Sequence, residues 1–206
     1  MKKGSSYRLF CQIRYPILRG LFEIRSHLTD REKVTLYRLA SEISKRKTSP
    51  CSFVEIGSYI GASSSYLAAG LARNNHFGKV YCIDTWNNDA MTEGNRDTMA
   101  EFLHNTRKFS RYIEPIRGWS TDPEVVGQVT RLAGKIDLLF IDSDHCFEGA
   151  LADWKTYNPL LSENAIVAMH DIGWAEGVQR VVAEEIRPRA DREARLTNLW
   201  WGWMGK

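Results

Sequence analysis

A chain of 206 residues with 43% hydrophobic and 26% charged residues holds enough apolar material for one domain with a buried core. That composition excludes a disordered tail or a low-complexity fibre, no apolar run approaches the length of a bilayer, and a net charge of +3 does not point to nucleic acid. Cys11, Cys51, Cys82 and Cys146 stand far apart with no C-x-x-C pair, which excludes a disulfide framework or a zinc pattern and fits a reducing, cytoplasmic compartment.

At the amino end, Arg8, Arg14 and Arg19 interrupt Leu9, Phe10, Ile13, Ile17 and Leu18, so a signal peptide is not expected. Residues 1–27 read as a basic arm or helix packed on a single domain of residues 28–206. Peripheral contact of this basic amphipathic piece with a membrane is the alternative. Thr29 and Glu32 form a T-x-x-E capping box before a helix with Leu36, Leu39, Ala40 and Ile43 on one face. Ser52 to Ile56 reads as a strand, Gly57 to Gly61 as a glycine turn, Ala62 to Ala72 as a small-residue helix and Val80 to Ile83 as a strand. A polar loop, Asp84 to Asn95, leads into a helix marked by Met99, Phe102, Leu103 and Thr106. Next come a strand at Tyr112 to Ile116, a helix at Pro123 to Leu132, a strongly apolar strand at Ile136 to Ile141 and a helix marked by Phe147, Ala150, Leu151 and Trp154. A strand at Ala165 to Met169, a helix marked by Val178, Val181, Val182 and Ile186, and a closing antiparallel strand within Leu196 to Met204 complete the chain. Alternating strands and helices predict a doubly wound, mostly parallel Rossmann-like sheet with helices on both faces.

The acids fall at strand ends. Glu55 lies at the end of the first sheet strand, Asp84 after the second, Asp142 after Ile141 and Asp171 after the strand ending at Met169. Parallel strands share one carboxyl rim, and ligands bind in the crevice outside it. Capping of the next helix explains one or two of these acids, but four aligned ends point to a site. The run Glu55-Ile56-Gly57-Ser58-Tyr59-Ile60-Gly61-Ala62-Ser63 lacks the middle glycine of G-x-G-x-x-G, and no G-K-[ST] of a P-loop follows. Asp84 can accept hydrogen bonds from both hydroxyls of a ribose. A ribose without a diphosphate cradle points to S-adenosyl-L-methionine rather than a dinucleotide. Acceptor contacts are expected from the N-terminal segment, the loop Trp86 to Asn95 and the tail.

Glu55-Ile56-Gly57 through Gly61-Ala62-Ser63, then Ile83-Asp84-Thr85-Trp86, resemble motifs of the class I S-adenosylmethionine-dependent methyltransferases. The run from Ile136 to His145 with Phe147-Glu148-Gly149, then Asp153-Trp154, Pro159-Leu160-Leu161 and His170-Asp171, resembles a small-molecule O-methyltransferase subgroup that includes antibiotic-sugar and catechol-type enzymes. The resemblance spans residues 50–186. It implies a turn of Gly57, Ser58, Gly61 and Ser63 along the methionine part of the cofactor, supported by Glu55. It implies Asp84 on the ribose, Thr85 and Trp86 flanking the adenine, and Trp119 and Ser120 finishing the adenine pocket. Core packing is the alternative role of Trp86.

The resemblance further implies Asp142 and Asp171 as ligands of magnesium or another divalent metal. Relatives commonly place a carboxylate or amide beside the second ligand, whereas here the neighbours are His170 and Ile172. His170 can ligate, and imidazole shifts the preference toward transition metals. Relatives place their base at Asp144 or His145. His145 is favoured because imidazole titrates near neutrality, and Asp144 is the better base if a metal acidifies the hydroxyl. The alternative is that both shape the turn and cap the helix after it. The expected partner is a small hydroxylated molecule (a sugar, a phenol or a lipid-linked acceptor) with no nucleic acid, and a homo-oligomer is compatible with the chain. A nicotinamide-dependent oxidoreductase on the same sheet and a non-catalytic cofactor- or partner-binding module are the competing functions.

Overall fold

The computed structural model describes residues 3–75, 77–88 and 94–205. The first helix, α1 (Lys3–Arg14), buries Cys11 and ties Arg8 to Asp30 at 2.6 Å. Helix α2 (Asp30–Arg46) begins at the expected capping box: Thr29 N–H donates to Glu32 Oε2 at 2.7 Å, and Glu32 N–H donates to Thr29 Oγ1 at 3.4 Å. The chain then alternates through β1 (Ser52–Ile56), α3 (Ala62–Arg73), β2 (Lys79–Asp84), α4 (Met99–Thr106), β3 (Ile113–Arg117), α5 (Pro123–Ala133), β4 (Ile136–Ile141), α6 (Phe147–Tyr157), β5 (Leu161–His170) and α7 (Glu176–Val181). Two strands close it, β6 (Ala190–Arg195) and β7 (Leu199–Met204).

The sheet order is β3-β2-β1-β4-β5-β7-β6, with β1 to β5 parallel and β7 antiparallel to both β5 and β6. Successive residues of β1 face opposite sides, as the pleat requires. Phe53 joins the core under α2 and α3, and Val54 and Ile56 join the core under α5, α6 and α7. The expected doubly wound architecture is therefore present, with two corrections. The closing segment is a pair of strands rather than one, because β6 adds a charged edge. The last helix keeps α geometry only to Val181 and continues as a π turn over Val182–Ile186. Chain direction across the sheet reverses between β1 and β4, so the ligand crevice opens at their carboxyl ends.

Candidate active site

Gly57 and Gly61 are required by the turn after β1. Both have φ +85°, a conformation that suits residues without a Cβ, and a Cβ on Gly57 would stand 2.0 Å from the Asp142 carbonyl oxygen. The backbone of the turn and that of the β4 end thus meet at the crevice: Gly57 N–H donates to Ile83 O and Asp142 N–H to Ile56 O, each at 2.9 Å. Gly57→Ala is expected to lose about 1–3 kcal/mol from backbone strain alone, plus the cost of the overlap. Gly20 has φ +83° with no atom within 4 Å of the place a Cβ would take, so Gly20→Ala isolates the strain. Thermal melts should show the Gly57 variant clearly the less stable, and equal melting would remove the packing argument.

Glu55 lies at the bottom of this turn, fully buried. Ser58 Oγ donates to its Oε2 at 2.8 Å and Ser64 Oγ also donates to it, while Oε1 has no partner. Burial pushes its carboxyl up, opposed by the hydroxyls of Ser63, Ser64 and Ser58. Ser58 and Ser63 are buried with it, so their hydroxyls stiffen the turn from below.

Asp84 closes the next side. Its Oδ2 accepts from Tyr59 N–H at 2.7 Å and its Oδ1 from Trp86 N–H at 2.7 Å. Tyr59 and Trp86 both have positive φ, 46° and 52°. Trp86 is 0% exposed, packs 4.8 Å from Phe102 and donates from Nε1 to Tyr59 O at 2.8 Å. Its side chain is a floor beneath the turn, the packing role. Thr85 is half-buried, and its carbonyl accepts from Arg117 Nε at 2.9 Å. Trp119, 61% exposed, and Ser120 lie beyond β3. Ser120 Oγ and Ser143 Oγ both donate to buried Asp153, which pins the loop after β3 to the loop after β4. Burial raises the Asp153 carboxyl pKa, offset by these two hydroxyls.

The second half of the crevice is charged. His170, 2% exposed, holds Nδ1 2.9 Å from Asp142 Oδ1 and 3.2 Å from Asp171 Oδ1, and Nε2 3.6 Å from Glu32 Oε2. Burial opposes charge on this imidazole, but Asp142 foremost, with Asp171 and Glu32, pushes its pKa up to about 12. Asp171, at φ +60°, also accepts from Trp174 Nε1 and Asn198 Nδ2, both at 2.8 Å, and its Oδ2 lies 2.9 Å from His145 Nε2. Burial would raise the Asp171 pKa, but His170, Asn198 and Trp174 hold it well below the carboxylate range. His145 is exposed and lies 4.7 Å from the Trp174 ring. Asp144 turns the other way: Oδ1 accepts from Cys146 N–H at 2.8 Å at the start of α6.

Asp142, His170 and Asp171 each offer a donor atom, all within 4.8 Å of one another. Nδ1 of His170 is buried and makes no hydrogen bond of good geometry despite its two carboxylate neighbours. The separations of 2.9 and 3.2 Å are ion-pair distances between the imidazole and the two carboxylates. A divalent cation would take the place of the proton that the two carboxylates otherwise hold on this imidazole, and two carboxylates with one imidazole are a donor set such a cation accepts.

The structure thus brings Gly57, Asp84, Asp142, His145, His170 and Asp171 to one rim. Glu32, Trp174 and Asn198 join the His170–Asp171 network, and Asp153 pins the loops beside it; none of the four was among the expected site residues. Asp153-Trp154 carries part of the resemblance, and Glu32 is visible in the sequence only as a helix cap. The loop expected to touch the acceptor runs through residues 89–93, which lie outside the described residues.

A search of curated proteins gave no match. Solved structures share the fold. The O-methyltransferase from Bacillus cereus in complex with SAH is 15% identical, with a TM-score of 0.66, covering 98% of this chain and 97% of that one. TomG, an O-methyltransferase from Streptomyces achromogenes involved in tomaymycin synthesis and solved with SAM, is 15% identical at TM-score 0.63, covering 100% and 91%. MycE, a methyltransferase of the mycinamycin pathway solved with Mg, SAH and mycinamycin VI, is 12% identical at TM-score 0.58, covering 93% of this chain and 54% of that one. Residues 54–172, from the glycine turn to the acid cluster and more than half of the chain, match the family model described as a methyltransferase domain, and the chain belongs to that methyltransferase family.

Proposed function

We propose that the chain transfers the methyl group of S-adenosyl-L-methionine to a hydroxyl of a small molecule. The observation that carries this reading is the continuity of the rim. A glycine turn and a strand-end carboxylate suited to a ribose lie on one side of the β1–β4 junction, and a His–Asp pair suited to proton removal lies on the other. The three solved relatives are described with SAH, SAM, or Mg with SAH and a natural product, which supports the cofactor.

Gly57 and Gly61 let the methionine part pass along the backbone, and Asp84 takes the ribose hydroxyls. Trp119 and Ser120 stand where the adenine pocket would end. His145 donates Nε2–H to Asp171, which leaves the Nδ1 lone pair to take the acceptor's proton as its oxygen attacks the methyl carbon. The sulfonium then leaves as the neutral thioether of S-adenosylhomocysteine. Asp142, Asp171 and His170 would hold a divalent cation, which when bound polarises the acceptor hydroxyl. No helix among the described residues is long and apolar enough to cross a membrane. Cys11, Cys51, Cys82 and Cys146 form no disulfide among the described residues, in keeping with a reducing compartment.

Calorimetry with S-adenosylhomocysteine and with NAD tests the cofactor. Saturable binding of the first and none of the second is expected, and the reverse would return the oxidoreductase reading. Metal dependence is tested by chelation. Turnover is expected to fall in chelator and to recover with Mg or Mn, with metal detected in the restored protein by elemental analysis. Full activity in chelator would leave the acids with polar and proton-positioning roles only.

A further inference from the structure

Resting on the methyltransferase reading, we propose that the cavity beneath residues 22–33 receives an anionic group of the acceptor, a phosphate or carboxylate, and that Lys33 and Arg8 select for it. The cavity measures about 500 Å³, within the range of small-molecule sites. Its wall carries three cations, Arg8, Arg25 and Lys33, against two carboxylates, Glu23 and Asp30. Two of the cations share one acid: Arg8 Nε is 2.6 Å from Asp30 Oδ2, and Lys33 Nζ is 3.1 Å from Asp30 Oδ1. The Lys33 side chain is only 4% exposed, and its ammonium lies 5.9 Å from the centres of both the Phe22 and Tyr66 rings.

An ammonium removed from water needs its charge matched and its three protons accepted. Half of one carboxylate does not supply that. An oxyanion entering the cavity would, through charge-assisted hydrogen bonds to Lys33 and Arg8. The amino end of α2, at Thr29 and Asp30, lines the same cavity and adds partial positive charge.

Two residues of the cavity wall are tied to the site. Arg25 Nη2 donates to the Tyr59 hydroxyl at 2.6 Å, and Tyr59 belongs to the glycine turn. Thr29 shares its capping box with Glu32, whose Oε2 lies 3.6 Å from His170 Nε2. These two ties place the cavity beside the rim, which favours an anionic group of the acceptor over a separate ligand as its occupant.

The test titrates inorganic phosphate and acetate, at constant ionic strength in chloride, into protein saturated with S-adenosylhomocysteine, following backbone amide shifts by NMR. Saturable shifts at Thr29, Asp30 and Lys33 are expected. Stronger binding of phosphate assigns a phosphorylated acceptor, and stronger binding of acetate a carboxylated one. Lys33→Met, which leaves Asp30 paired with Arg8, is expected to weaken the anion at least about tenfold, the loss of one charge-assisted bond, with unchanged S-adenosylhomocysteine affinity. Should Lys33→Met fail to fold, Arg8→Gln, at the half-exposed partner, is expected to weaken binding in the same direction. Absence of saturable shifts with either anion, or wild-type affinity in the folded variants, overturns the proposal. Absence of S-adenosylhomocysteine binding strikes the methyltransferase reading instead, and the anion titration is then run on the protein alone.

Discussion

Alanine at position 84 is expected to weaken S-adenosylhomocysteine binding by at least about a hundredfold, since hydrogen bonds to a charged group are worth ~1.5–3 kcal/mol each and two would be lost. Asp84 ends β2 on the rim, and its two oxygens already accept Tyr59 N–H and Trp86 N–H, each at 2.7 Å. A carboxylate oxygen can accept more than one hydrogen bond, which suits the pair of hydroxyls on a ribose. The same substitution frees two backbone segments held at positive φ, so the turn around Tyr59 loses its anchor as well. Asp84→Asn separates the two effects. The amide keeps one acceptor oxygen and the volume of the side chain, so its loss should be intermediate, nearer to tenfold for one bond. Calorimetry on both variants, with melting curves to verify folding, checks this. Equal affinity in wild type and Asp84→Ala would remove Asp84 from the cofactor site.

What the sequence revealed of this fold followed from local chemistry. The Thr29–Glu32 box and the apolar strand at Ile136 to Ile141 both act within a few residues of themselves. Strand-end acids were readable because parallel strands share a rim whatever their order. Strand β6 was not readable. Its Asp191, Arg192, Glu193 and Arg195 show no apolar alternation, and it exists as a strand through its pairing with β7. Charge on such an edge also discourages further pairing. Trp86 shows the limit of spacing as an argument. It stands two residues after Asp84, yet φ 52° turns the chain and sends the indole into the core. Glu32 and Asn198 reach His170 and Asp171 from the two ends of the domain, through tertiary contacts that leave no periodic trace.

Removing the imidazole at position 145 is expected to lower kcat by about 10²–10⁴-fold, the usual contribution of a positioned base, while leaving S-adenosylhomocysteine affinity as in wild type. The split follows from where the contacts lie. His145 sits on the loop after β4, exposed toward the crevice, with Nε2 2.9 Å from Asp171 Oδ2 and its ring 4.7 Å from that of Trp174. The carboxylate fixes which nitrogen carries the proton and steadies the imidazolium once the acceptor proton has moved. None of these partners belongs to the glycine turn or to Asp84, so cofactor binding has no reason to change. Asp144→Asn is the contrasting variant. Asp144 accepts Cys146 N–H at 2.8 Å, and its carboxyl group lies against Gly149 at the start of α6. An asparagine keeps that turn, and its kcat should stay within a few-fold of wild type. Added imidazole should restore part of the His145→Ala rate, because a small base can enter the space the side chain leaves. A severe Asp144→Asn beside a mild His145→Ala would exchange the two roles. Near wild-type kcat in both, with an authentic acceptor, would leave proton removal to solvent and the reaction to proximity within the crevice.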